Sequence, residues 1–399
     1  MSVTEPAGFE AAGIACGIKE SGAPDLALVA TADRRSAAAA GVFTTNRVAA
    51  APVQISRKHL EDGRAAAIVL NSGNANAATG EPGRTDALQM CEQVGDALTI
   101  RPADVLVCST GLIGIPLTMT PITRGIPLLA EELRGDAEGA SAAAGAILTT
   151  DTVPKTSTAQ FPLDRGATAT VGSIAKGAAM LQPAMATMLA VLTTDAAIEP
   201  QALHVALEGA VDVSFNSMSV DGCTSTNDTV LVLANGVVGN RPIGLGGPAF
   251  HALAAALREV CVDLAEQMAA DAEGATKFAR IVVRGARSLD DARRAARAVA
   301  NSQLVQCSLY GCDPYWGRVL SELGASGASM DAEQVDIAYN GIIVCRDGIA
   351  AKHDAVALEE EMGGREIEIV CDLHRGGNEA AILTTDLTHA YIDENMGTS

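Results

Sequence analysis

Apolar and polar positions alternate along the chain in short, well-punctuated units. RAAAIVLNSGNANAATG (64–80) runs from an apolar core into Gly and Asn, which predicts a buried strand entering a loop. DVLVCSTGLIG (104–114) repeats that figure. Between them, TDALQMCEQVGDALTI (85–100) places Leu88, Cys91, Val94 and Leu98 on one helical face. Asp86 lies near its start and Pro102 past its end. GATATVGSIAKG (166–177) and TMLAVLTTDA (187–196) predict two further strands. FHALAAALREVCVDLAEQMAADA (250–272) is the clearest helix, with Phe250, Leu253, Leu257, Val260, Cys261, Leu264 and Met268 as a continuous stripe. After about Thr276 the units shorten. ARIVVRGA, QLVQCSLYG, VDIAYNG and REIEIVCDL predict strands, and DDARRAARAVANS a helix. Strands and helices mixed throughout mean α/β or α+β, with α+β favoured because several strands follow one another directly. No repeat period emerges, although AILTTD occurs at 146–151 and again at 381–386, which predicts two similar strand ends.

Composition sharpens this picture. Hydrophobic residues make up 48% of the 399 and aromatics only 3%, so the interior is built from Ala, Val, Leu, Ile and Met. That suits closely packed helix-on-sheet layers. The length predicts two domains, or a large one with a smaller appendage. The net charge of −20 disfavours nucleic acid and anionic membrane as partners, and obliges any anionic substrate to find local positive groups. Nine scattered cysteines without a CxxC read as buried thiols in a reducing compartment. With no basic-then-apolar leader and no uninterrupted apolar span of bilayer length, the expected location is the cytoplasm.

The six histidines form neither HExxH nor a cluster with cysteine, so no metal is expected. GxSxG and the Walker A sequence are absent, and GLGGP (244–248) reads as a cap before a helix. An enzyme of this sequence is expected to work without a cofactor. Attention falls on IAKGAAMLQPAMATMLAVLTTDA (174–196), an apolar run that carries one lysine, Lys176, and a threonine, Thr187. Thr187 packed methyl-inward in a strand is the plain reading. As the first residue of a chain it would instead have its own α-amine as a base, with a reference pKa of roughly 7.7–8.0 suited to that work. Lys176, next to Gly177, needs an anion or a shifted pKa if buried, unless it is a surface lysine at a strand end. Thr110 and Gly111 in CSTGLIG end a strand and can donate to an oxyanion, although a Thr-Gly turn is common. Glu273 in DAEGATK precedes a glycine at a helix end, where an ordinary solvated carboxylate is the plain alternative.

Six blocks, STGLIG, TTDTVPK, AKGAAMLQPAMATMLAVLTTDA, DGCTSTNDT, DAEGATK and GCDPYWGRV, occur in this order. Together they resemble the ArgJ family of ornithine acetyltransferases from about Gly13 to the C-terminus. The resemblance implies an α/β/β/α sandwich of the N-terminal-nucleophile type with a smaller C-terminal domain. It also implies self-cleavage between Ala186 and Thr187. The α chain, 1–186, would form part of the sandwich. The β chain would complete it and the active site over 187–280, and continue into the small domain over 281–399, whose tail returns to the site. Pairs of chains would assemble as α2β2 or larger.

The implied reaction is ping-pong transfer of acetyl from N2-acetyl-L-ornithine to Thr187 and then to L-glutamate, in arginine biosynthesis. Thr110 and Gly111 match the family's oxyanion donors. Thr149, Lys176, Thr187, Glu273, Asn395 and Ser399 match its substrate contacts. Charge suggests that Lys176 takes an α-carboxylate and Glu273 an amine. The tail YIDENMGTS departs from the family: the segment after Asn395 is one residue short and lacks an aromatic residue, so Thr398 stands beside Ser399 as the closing contact. The family contains members that also use acetyl-CoA, and no CoA motif is readable, so that donor stays open. The alternatives are a self-processing hydrolase of the aminopeptidase kind and an uncleaved amino-acid-binding protein.

Overall fold

The computed structural model describes residues 2–180 and 188–396. It divides into two compact units: Met1–Ala178, Ala184–Asn216 and Thr224–Met268 form the first, and Ala179–Pro183, Ser217–Cys223 and Ala269–Ser399 the second.

The first unit holds two sheets. One has four strands, β1 (Phe9–Ile14), β2 (Leu26–Thr31), β5 (Ala67–Asn74) and β6 (Val105–Leu112), in the order β1-β2-β5-β6. The other has six: β3 (Ala37–Phe43), β4 (Arg64–Ala65), β7 (Lys155–Pro162), β8 (Thr168–Lys176), β9 (Leu189–Thr194) and β10 (Thr229–Ala234), in the order β4-β3-β10-β9-β8-β7. Their facing sides share one core, in which Val29, Ile68, Leu70 and Leu106 of the first sheet meet Ile174, Leu189, Val191 and Leu231 of the second. The outer face of the four-stranded sheet packs on α1 (Ala51–His59), α2 (Gly80–Leu98) and α3 (Met119–Glu131). On the six-stranded sheet, α5 (Pro200–Asp212) packs against β3, and α6 (Gly247–Ala270) is tied to β7 by Gln267, which exchanges hydrogen bonds with the Thr156 backbone. A further helix, α4 (Ala137–Ala146), lies at the edge formed by β1. This is the expected α/β/β/α sandwich. Alanine and other small side chains let the layers approach: a methyl group on Gly13 of β1 would lie 2.0 Å from the Ala142 carbonyl oxygen.

The second unit is one six-stranded sheet, β14-β13-β12-β15-β11-β16, made of β11 (Phe278–Ala286), β12 (Asp336–Tyr339), β13 (Ile342–Arg346), β14 (Ile349–Ala350), β15 (Glu366–Asp372) and β16 (Asn378–Thr385). Its core joins Ile281, Val283, Ile337 and Ile369 to α7 (Leu289–Ala300), α8 (Gln303–Tyr310), α9 (Trp316–Ala325) and α10 (Ala355–Met362). The last helix is α11 (His389–Asn395).

Four expectations from the pattern are corrected. QLVQCSLYG is the helix α8, not a strand: Ser302 caps it by accepting from Val305 N, and Val305, Gln306, Ser308 and Leu309 are its buried residues. The first AILTTD copy is no strand end. Ala146 closes α4 and the following residues turn irregularly around Asp151, whereas the second copy runs along β16 as expected. Leu88 is exposed: α2 begins five residues before the predicted segment, and its buried face includes Ala87, Met90, Cys91, Val94 and Leu98. Only Cys91, Cys108, Cys261, Cys345 and Cys371 are buried thiols; Cys223, Cys307 and Cys312 are exposed. Among the described residues no helix is long and apolar enough to cross a membrane, and no cluster of His, Cys, Asp and Glu has the makings of a metal site.

Candidate active site

In the first unit, the Thr110–Gly111 pair lies near the end of the β6 strand, just before Leu112 ends it. β5 and β6 run parallel, and Gly111 registers opposite Gly73, where the ladder is irregular. Gly111 has φ +132°, and a Cβ there would lie 2.3 Å from the Gly73 carbonyl carbon, so both conformation and space demand glycine. Beside it, the Thr110 hydroxyl is buried and has no hydrogen-bond partner among the described residues. Buried hydroxyls are normally satisfied, so this one stands out among the described residues. The carbonyl just before it, Ser109 O, is fixed by Asn227, whose Nδ2 donates to Ser109 O (2.8 Å) and Ala75 O (2.6 Å). Asn227 precedes β10, so it ties the start of one sheet's central strand to the loop ends of the other.

Lys176 closes β8 and is almost fully buried. Its Nζ donates to Thr149 Oγ1 at 2.7 Å and lies 3.5 Å from Asp151 Oδ2. Thus Thr149 and Lys176, both expected in the site, are brought together. Asp151 was not expected. Its side chain is fully buried, pairs with Lys155 Nζ at 2.6 Å and accepts from Gly177 N at 2.7 Å. Burial on its own would raise its pKa. The Lys176 and Lys155 ammoniums and the Gly177 N–H outweigh that and hold the carboxyl well below the usual carboxylate range. Lys176 therefore has its internal anion, yet shares it with Lys155. A third lysine, Lys19, donates to Leu148 O and Pro24 O, both at 2.7 Å. Its position is fixed by Asp25, which accepts backbone N–H groups from Cys16, Gly17, Ile18 and Lys19.

Ala186 and Thr187 lie outside the described residues, as do Thr398 and Ser399. The description resumes at Met188, whose N–H donates to Asp228 Oδ1 at 3.2 Å, and β9 begins at Leu189.

In the second unit, Glu273 and Asn395 are also brought together: Asn395 Nδ2 donates to Glu273 Oε2 at 2.8 Å. Gly274 has φ +63°, and a Cβ on it would lie 2.3 Å from Tyr391 N, so the loop after α6 sits directly on α11. One turn before Asn395, Tyr391 donates its phenol to Asp221 Oδ2 at 3.4 Å. Asp221 also accepts from Met180 N (2.5 Å) and Cys223 N (3.0 Å). Burial, and then the Glu273 charge, raise its pKa against those N–H donors.

Sequence reasoning passed over Asp151, Lys155, Asn227, Asp228 and Asp221. All five lie inside or at the edge of the motif blocks TTDTVPK and DGCTSTNDT, and charged or amide side chains inside such blocks were the available signal.

The sequence profile of the ArgJ family matches residues 10–397. A protein named arginine biosynthesis bifunctional protein ArgJ from Symbiobacterium thermophilum is 47% identical, over 98% of this chain and 97% of its own length. The protein of the same name from Mycobacterium leprae is 46% identical, over 100% and 96%. Among solved structures, an ornithine acetyltransferase complexed with ornithine from Mycobacterium tuberculosis is 45% identical over 45% of this chain and 93% of that one, with a TM-score of 0.41.

Proposed function

Since the chain belongs to the ArgJ family, we propose that it is an ornithine acetyltransferase of arginine biosynthesis. The observation that carries this reading is near full-length identity of 46–47% to proteins named for that role. Neither of these relatives is named as a hydrolase.

The chain breaks between Ala186 and Thr187, giving an α chain, 1–186, and a β chain, 187–399. The freed Thr187 hydroxyl attacks the acetyl carbonyl of N2-acetyl-L-ornithine, its proton passing to the Thr187 α-amine. The tetrahedral oxyanion is stabilised by the Thr110 hydroxyl and the Gly111 amide. Collapse expels ornithine, which takes the proton back. The α-amine of L-glutamate then attacks the acetyl-threonine ester, and N-acetyl-L-glutamate leaves with Thr187 restored. The orphaned, buried hydroxyl of Thr110 supports its role as a donor.

Lys176, oriented by Thr149 and Asp151, takes the substrate α-carboxylate. Its share in only half of an aspartate leaves it able to engage a second anion. Glu273, oriented by Asn395, takes the ornithine side-chain amine, and Ser399 closes the substrate contacts. The relatives' name, bifunctional, supports acetyl-CoA as a second acetyl donor to Thr187.

An assay of acetyl transfer tests both activities. Acetylglutamate should form from acetylornithine plus glutamate, and separately from acetyl-CoA plus glutamate. Release of free acetate without transfer would instead establish a hydrolase.

A further inference from the structure

Both copies of AILTTD end in an aspartate with a buried side chain. In the first copy, Asp151 braces two expected substrate contacts. Its Oδ2 accepts from Thr149 N at 3.2 Å and lies 3.5 Å from Lys176 Nζ. The second copy belongs to the second unit. Its Asp386 follows the last pair of the β11–β16 ladder, Phe278 opposite Thr385, and Asp386 N donates to Lys277 O at 3.1 Å. The side chain turns back on the loop that enters β11. Oδ1 accepts from Thr276 N at 2.9 Å and from Lys277 N at 3.0 Å, and Oδ2 accepts from the Thr276 hydroxyl. Lys277 ties the same loop to the end of α10, its Nζ donating to Met362 O (2.9 Å) and Gly364 O (2.7 Å). Glu273 stands three residues before Thr276 in this loop.

Two residues after Asp386, the buried Thr388 uses its hydroxyl twice. Oγ1 donates to Gly274 O at 2.7 Å and accepts from Tyr391 N at 3.2 Å, which caps α11. The first of these bonds lands on the residue next to Glu273. α11 has seven residues, too few to keep helical form in water unaided, so its place depends on such ties. At its far end, Asn395 Nδ2 donates to Glu273 Oε2 and, at 2.9 Å, to Tyr391 O. A circuit closes around Glu273. Asp386 and Thr388 fix the backbone of residues 274–277, and α11, seated on that backbone by Thr388, brings Asn395 to the Glu273 side chain.

We infer that Asp386 and Thr388 are positioning residues for recognition of the substrate's side-chain amine: they set the place of Glu273 and Asn395 without touching the amine themselves. This rests on the reading that Glu273 takes the ornithine amine. A carboxylate that recognises an ammonium binds it best when already held in place, because freedom in its loop would be lost on binding and would weaken the contact. Discrimination for the amine therefore depends on the circuit as well as on Glu273.

N2-acetyl-L-norvaline has the ornithine chain without the amine. The ratio of kcat/KM for acetylornithine to that for acetylnorvaline therefore reads amine recognition alone, whereas damage to the fold lowers both values together. Glu273→Gln should lower the ratio by about tenfold or more. Asp386→Ala and Thr388→Val should each lower it by about five- to tenfold, entering as a raised KM for acetylornithine. Neither should lower it further when combined with E273Q. Hydrogen exchange on the full chain, read by mass spectrometry, should show the α11 amides exchanging faster in D386A and T388V than in wild type. A ratio unchanged in both D386A and T388V, a further fall in the double variants, or unchanged exchange of α11 in both single variants would each overturn the inference. If E273Q itself keeps the wild-type ratio, the reading of Glu273 fails, and the exchange of α11 alone decides whether Asp386 and Thr388 hold that helix.

Discussion

The Thr110 hydroxyl is buried and bonded to nothing described around it, so removing it should cost the fold little and the reaction much. Thr110→Val is expected to change stability by no more than about 1 kcal/mol, and to lower acetyl transfer by about 100- to 1,000-fold, the usual consequence of losing one oxyanion donor. Thermal melts and kcat measured on one preparation separate the two effects. Gly111 behaves differently. A methyl group there meets the Gly73 backbone at 2.3 Å, so Gly111→Ala should lower stability and transfer together. Asp151→Asn leaves two buried ammoniums facing a neutral amide. Breaking a buried pair of this kind costs about 3–5 kcal/mol. The sign of the accompanying pH effect follows from its depressed pKa. The stabilisation from Asp151 is fully present above its unfolded pKa of about 3.9, and is lost as pH falls through the folded value. Wild type should therefore lose this stability on acidification below about pH 4, and D151N should not show that component. Lys176 was legible as a polar residue out of place. Its partner was not, because residues 151 and 176 meet only once β7 and β8 have paired, and β7 was not among the predicted strands.

At the scale of elements, Asn227 joins β10 of one sheet to the ends of β5 and β6 of the other. Asn227→Ala would leave the Ala75 and Ser109 carbonyls without these donors, at about 1–3 kcal/mol for each group left unsatisfied. The expected outcome is a lower melting temperature and slower self-cleavage in the same variant. Wild-type cleavage in a destabilised N227A would show that the tie serves the fold alone. The element pattern was readable where an apolar run buried on both faces is bounded by turn residues, as in β6, β8 and β9, and where the helical period is clear, as in α6. It misled at α8, where Leu304, Val305 and Leu309 among polar residues mimic a strand, and a Ser302 cap decides for helix. It misled again at the first AILTTD, because identical hexapeptides take different structures when one pairs with β11 and the other folds around its own aspartate.

For the whole molecule, a net charge of −20 makes the buried lysines around Asp151 informative. Lys155 and Lys176 bury two ammoniums against Asp151 in a protein of that charge, and the proposed reading gives Lys176 a carboxylate substrate. The sandwich was implied by resemblance of the motif blocks, and its layers follow from a sequence rich in small aliphatic residues. Two domains were expected, the smaller over 281–399; that short segments such as Ser217–Cys223 join the second unit depends on contacts distant in sequence, which no local pattern shows.

All of this turns on Thr187 as the first residue of a chain and the carrier of acetyl. Purified protein should be incubated with N2-acetyl-L-ornithine alone, and the fragments weighed under denaturing conditions. The account predicts two chains, 1–186 and 187–399, with acetyl on the fragment that begins at Thr187 and its discharge on addition of L-glutamate. In Thr187→Ala a single uncut, unacetylated chain is expected. A wild-type protein that remains one full-length species, or a cut protein whose second fragment never acquires acetyl, would contradict it.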